Sequence, residues 1–142
     1  DFEINVIGAI KTIQAYIKAL SQSDSASIVL FSTVATKLGM PFHASVATAK
    51  SAVEGLTKSV AADLAPKIRV NAIAPTITDT DLAAKFLRNE RMIESTIQRH
   101  PLKKYLQPTE VAAMANYLLS DVSKSISGQI FNLDCGIVSL KL

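Results

Sequence analysis

The sequence predicts an α/β fold: a parallel sheet of about three strands with helices on its faces. Three observations predict it. Short, wholly apolar runs alternate with longer stretches of helical periodicity, the pattern of βαβ units joined by right-handed crossovers. The runs are rich in β-branched residues, which suits strands buried on both faces. Pro and Gly fall at the boundaries between the two kinds of segment, where they punctuate rather than interrupt.

Ile7, Ile10, Ile13, Ile17 and Leu20 recur at helical spacing, so residues 5–20 read as an amphipathic helix. The polar stretch "SQSDSAS" breaks that pattern as a loop. "IVLF", Ile28 to Phe31, reads as the first strand. A second helix is predicted from His43 or Ala44, after Gly39 and Pro41, and Pro66 closes it near Leu64. Its expected buried stripe is Val46, Ala49, Val53, Leu56, Val60 and Leu64. "IRVNAIA" reads as the second strand. Asp79 to Arg99 is mostly helical and broken near Asn89. "QPTEVAAMANYLLS" opens with Pro108 in its first turn and keeps Val111, Met114 and Leu118 in register. "GQIFNLD" is the last strand.

No internal repeat or long linker divides the chain, so residues 1–142 read as one domain. A doubly wound sheet of this kind carries about six strands. The others are expected before Asp1, which makes this the C-terminal half of such a fold.

Composition narrows the functional classes. The chain is 49% hydrophobic and 19% charged, which is globular rather than disordered. No apolar run approaches the ~18 residues of a membrane span, and no basic leader precedes one. One cysteine, Cys135, excludes an internal disulfide and offers no metal cluster. A cytoplasmic location is the expectation. Net charge is +3, and Lys85, Arg88, Arg91, Arg99, Lys103 and Lys104 crowd one stretch against Glu90 and Glu94. Without a series of interleaved aromatics this argues against nucleic acid and for a local attraction to an acidic ligand.

Six segments, in order, resemble the short-chain dehydrogenase/reductase family across essentially the whole chain. "INVIGAI" resembles the segment around the family's asparagine, "IVLFST" the strand ending in its serine, and "VATAKSAVEGLTKSVAADLA" the helix of its Tyr-x-x-x-Lys motif. "IRVNAIAP" resembles the strand and turn that follow. "HPLKKYLQPTEVAAMANYLLSD" and "SGQIFNLDCG" resemble the closing helix and strand. The motifs are most similar to those of carrier-protein β-ketoacyl reductases. The resemblance implies a Rossmann-like sheet, NAD or NADP as cofactor, a small carbonyl or acyl substrate, and a homo-oligomer formed through helices 5–20 and 44–64. It places Asn5, Thr33 and Lys50 at catalytic positions, and Lys50, Pro75, Thr78 and Thr80 at the nicotinamide end.

The sequence departs from the family pattern in four places. Val46 stands at the tyrosine position, Thr33 at the serine, Thr76 where a glycine follows Pro75, and Cys135 at a glycine of the closing motif. The family's lysine lowers the pKa of its tyrosine, since a cation stabilises a nearby phenolate. Four-residue spacing stacks the two on one helix face. Losing a general acid costs about 10²- to 10⁴-fold in rate. His43, two helical turns before Lys50, either replaces that acid or is a loop or cap residue facing solvent. The glycines are Gly8, Gly39, Gly55, Gly128 and Gly136, so no glycine-rich phosphate turn is present. A dinucleotide should bind this chain alone poorly.

Each retained residue also has a plainer reading. Asn5 is either a helix cap or a site residue; Lys50 either lies packed along the surface or marks a vestigial cofactor contact. Thr33 either bonds to backbone or faces a ligand, Asn71 satisfies buried backbone, and Asp134 and Cys135 are structural. Two functions stay open: an NAD(P)-dependent oxidoreductase with little or no activity as given, and a non-catalytic relative acting as an assembly or partner subunit. A phosphate- or acyl-carrier-binding role for the basic stretch has less support.

Overall fold

The structure is a computed structural model, and it describes residues 1–141. A short π-helical turn, Glu3–Ile7, runs directly into α1, Gly8–Leu20. Then follow β1 (Ala26–Phe31), α2 (Ala44–Leu64), β2 (Ile68–Pro75), α3 (Glu90–Arg99), α4 (Pro108–Leu119) and β3 (Ile130–Leu133). A 3-10 turn, Val34–Thr36, follows β1, and another, Asp81–Phe86, precedes α3.

The strands form one parallel sheet in the order β1-β2-β3. Ala26 pairs with Ile68 through to Phe31 with Ile73, and Ala72 with Ile130 through to Pro75 with Leu133. As the middle strand, β2 is buried from Ile68 to Ala74. Its small and β-branched side chains let helices approach from both sides. Alternation along β1 sorts those helices. Leu30 joins Val6, Ile10, Ala49 and Val53 under α1 and α2. Ser27, three residues earlier and so on the other face, donates to the Leu118 carbonyl of α4 at 2.9 Å.

Most boundaries match expectation, and α2 spans the predicted residues. Asn89 caps α3 by accepting from the Met92 N–H at 3.0 Å, which explains the break expected there. The buried line of α2 matches expectation only at Ala49 and Val53. It runs Ala49, Val53, Thr57 and Ala61 with Glu54 beside it, whereas Val46, Leu56, Val60 and Leu64 are only half-buried. Ala61, outside the expected stripe, is core. Small residues on the true line let α2 sit close to the sheet, and the bulkier ones pack along its flanks.

Arg69 is buried on β2, its guanidinium donating to the Leu118 carbonyl at 2.9 Å, Ser123 Oγ at 3.0 Å and the Ser120 carbonyl at 3.1 Å. A helix leaves its last carbonyls unbonded and its C-terminus partly negative, so this cation satisfies both needs of α4. Asn71 bonds the Ile126 carbonyl at 2.9 Å and the Gln129 N–H at 3.0 Å, its expected structural role. Asp134 accepts from the N–H groups of Gly136 and Val138. Cys135 is buried with φ 52°, a left-handed conformation that favours the glycine of the family pattern.

Candidate functional site

In open parallel sheets, ligands bind at the carboxyl ends of the strands. Here the ends of β1 and β2 deliver Ser32, Thr33, Pro75 and Thr76 to one side, and the first half of α2 lies nearby.

Lys50 is half-buried on α2, and its Nζ donates to the Phe31 carbonyl at 2.9 Å. The Ser32 N–H bonds the Ile73 carbonyl of β2 at 2.7 Å, so by alternation the Phe31 carbonyl points to the unpaired side of β1. The ammonium therefore satisfies a sheet-edge acceptor. Burial holds the Lys50 pKa below the usual lysine value. Val46, half-buried, lies one turn before it.

Asn5 is no helix cap. It sits inside the π-helical turn, where the Gly8 N–H reaches back to the Glu3 carbonyl, and its Nδ2 donates to the Asp1 carbonyl at 2.9 Å. Single π-turns recur at functional sites. Asn5 and Lys50 share the wall of an open groove of about 350 Å³ with Thr12, Val29 and Phe31.

The other predicted residues do not line that groove. Thr33 caps the 3-10 turn after β1, its Oγ1 accepting from the Ala35 N–H at 3.3 Å. His43 stands at the start of α2 without capping it, and its Nδ1 lies 2.7 Å from the Pro41 carbonyl. Pro75 ends β2. Thr78 Oγ1 donates to the Thr76 carbonyl at 3.0 Å, and Thr80 Oγ1 to the Thr78 carbonyl at 3.3 Å. In the basic stretch, Arg91 and Arg99 flank a separate hollow of about 400 Å³ along α3, away from all of these.

Two features escaped the sequence. The buried Glu54 carboxylate accepts from Ser32 Oγ at 2.6 Å, Thr36 Oγ1 at 2.7 Å and Lys37 Nζ at 2.8 Å. Burial alone would raise its pKa; bonds from Lys37, Ser32 and Thr36, with the Lys37 charge, outweigh that and hold it below the usual carboxylate value. Separately, Thr76 Oγ1 lies 2.7 Å from Nε2 of buried His100, whose Nδ1 lies 2.7 Å from the Thr96 carbonyl. A carbonyl only accepts, so Nδ1 carries a hydrogen, and in the neutral ring the Thr76 hydroxyl donates to Nε2.

No group of three or more His, Cys, Asp or Glu side chains among the described residues could hold a metal. No helix among them is long and apolar enough to cross a membrane.

A family model described as enoyl-(acyl carrier protein) reductase matches residues 1–138. The 3-oxoacyl-[acyl-carrier-protein] reductase of Thermotoga maritima is 34% identical, covering 95% of this chain and 54% of that protein. A 3-oxoacyl-[acyl-carrier-protein] reductase of Synechocystis is 35% identical, over 96% and 54%. Ligand-free aldohexose dehydrogenase of Thermoplasma acidophilum superposes with TM-score 0.92 at 31% identity, covering 96% of this chain and 57% of the other. The chain thus spans about half the length of the curated relatives it matches. In sequence and in fold, it belongs to the short-chain dehydrogenase/reductase family and resembles the carrier-protein ketoacyl reductases.

Proposed function

We propose that this chain is the lysine-bearing part of an NAD(P)-dependent carbonyl or hydroxyl oxidoreductase, with little or no turnover as given. The observation that carries this reading is the pairing on α2: Lys50 donates to the Phe31 carbonyl, while one turn earlier stands Val46, which has no proton to give. Its neighbour His43 is held against the Pro41 carbonyl instead.

The cofactor fits at one end only. Lys50 and Asn5 offer polar groups in one groove, suited to a ribose. Among the described residues no glycine-rich turn follows a strand to hold a pyrophosphate, and Thr76 carries a Cβ at the nicotinamide end. No chemical step is therefore assigned through it. A gluconate 5-dehydrogenase of Burkholderia cenocepacia, solved with NADP and tartrate, supports a nicotinamide cofactor for this reading.

The test is turnover of NADPH with a panel of β-ketoacyl thioesters. None is expected from the chain as it stands, and turnover abolished by His43→Ala would overturn the reading.

One observation favours a second reading, an assembly subunit. Among the described residues β1 pairs only with β2, which leaves its other edge open near exposed Ile4 and Phe31. Open apolar edges invite pairing with another chain. A homo-oligomer through helices 5–20 and 44–64 is the form proposed. A chain that stays monomeric by sedimentation at high concentration would count against it.

A further inference from the structure

We propose that Glu54 is a positioning residue: its carboxylate ties the turn bearing the Thr33 hydroxyl to the helix bearing Lys50. Its three donors bracket Thr33 in sequence. Ser32 precedes it, and Thr36 and Lys37 lie at the far end of the 3-10 turn that Thr33 caps. Thr33 itself does not touch the carboxylate. The turn is closed internally by the Thr36 N–H and hydroxyl, which donate to the Thr33 carbonyl at 3.2 and 2.9 Å. Glu54 then fastens that closed unit to α2, one helical turn beyond Lys50.

Stability alone is a weak reason for this arrangement. Taking a carboxylate out of water is costly unless it is fully bonded, and buried ion pairs are often replaceable by apolar side chains without loss. Position 54 adjoins Val53 on the buried side of a helix, where an aliphatic residue would pack. What the carboxylate supplies instead is direction. Three donors, two of them on one oxygen, fix the distance and rotation of the turn relative to the helix. Ser32 is 4% exposed and Glu54 is 8% exposed, so water does not compete freely for the bond between them. That Thr33 is a site hydroxyl rests on the proposed function; the tie itself does not.

The test is amide hydrogen exchange by NMR on the whole chain without cofactor or substrate, so its failure and that of the proposed function are read separately. In Glu54→Leu, exchange at the Thr36, Lys37 and Leu38 N–H groups should rise by about tenfold, while Val70, Ala72 and Ile73 of β2 change little. The Thr33 side-chain couplings should go from one rotamer to an average. Glu54→Gln keeps an oxygen for the two hydroxyls and should restore most of the turn's protection. Should Glu54→Leu fail to fold, Ser32→Ala with Thr36→Val cuts the tie from the other side and should loosen the same amides. A rise shared equally by the turn and β2 would make Glu54 merely structural. An unchanged turn in whichever variant folds would also overturn the proposal.

Discussion

The Lys50 ammonium and the Phe31 carbonyl, 2.9 Å apart, join the second helix to the outer edge of the first strand. Lys50 thus bonds a backbone acceptor that no strand among the described residues covers. The same reach would let it meet a phenol one turn earlier, where Val46 stands.

Val46→Tyr tests that reach. A cation beside a phenol favours the phenolate, so the introduced group should titrate at least about one unit below the ~10 of a free phenol. Ultraviolet difference titration against the parent chain measures it. An unshifted phenol would place Lys50 out of range.

Lys50→Met should change how stability depends on alkaline pH. Burial lowers the folded pKa of Lys50 below the usual lysine value of 10.5. Between the lowered value and 10.5 the unfolded chain binds more protons, so this group makes stability rise with pH across that window. Urea midpoints at several pH values should show the rise in the parent and a flatter profile in the variant. Equal profiles would mean that the ammonium is fully solvated.

The elements were legible because their punctuation is chemical. Pro41 and Pro66 bracket α2, Pro108 opens α4, and the β-branched run of β2 admits no helix of useful length. The phase of α2 was not legible. Its alanines give little apolar contrast around the helix, so the larger Leu56 and Val60 drew the stripe away from Thr57 and Ala61. Glu54 was hidden for a related reason. Read alone, a glutamate on a helix is solvated, and its three partners lie 17 to 22 residues earlier in the chain. Lys50 and Asn5, singled out from the motifs, line one groove. The sequence motif did not say that the lysine would bond a strand edge, because that depends on what lies beyond β1.

Glu54→Gln should remove part of the acid sensitivity of folding. The folded carboxyl titrates below the usual glutamate value of 4.5, so its contribution is complete above that value and is lost as pH falls through the folded pKa. Denaturant midpoints between pH 6 and pH 3, about one unit apart, should fall more steeply in the parent than in the variant. Near neutral pH the variant should be less stable by about 1–3 kcal/mol, because a buried charge-assisted network loses its charge. Parallel profiles would show that other carboxylates govern acid unfolding.

Arg69→Met removes a buried cation that donates to the Leu118 and Ser120 carbonyls and the Ser123 hydroxyl, leaving the end of α4 uncapped. A loss of about 3 kcal/mol is expected, seen as a lower urea midpoint. Arg69→Lys restores the charge but not the fork of donors, so it should recover only part. Full recovery would mean that charge, rather than the bonds to separate carbonyls, is what α4 needs.

Thr76→Gly restores the family's residue and should nevertheless destabilise this chain. The Thr76 hydroxyl is committed to Nε2 of His100, which is 3% exposed and held on its other side by the Thr96 carbonyl. Removing the hydroxyl leaves a buried ring nitrogen without a partner, at a cost of about 1–3 kcal/mol. If the threonine and the histidine compensate one another, the cost must depend on both being present. His100→Leu should itself destabilise, since it strands the Thr76 hydroxyl. The double variant should then lose less than the two single losses combined, because neither polar group remains to be stranded. Strict additivity in urea denaturation would separate the two residues, leaving the departure at position 76 unexplained by its neighbour.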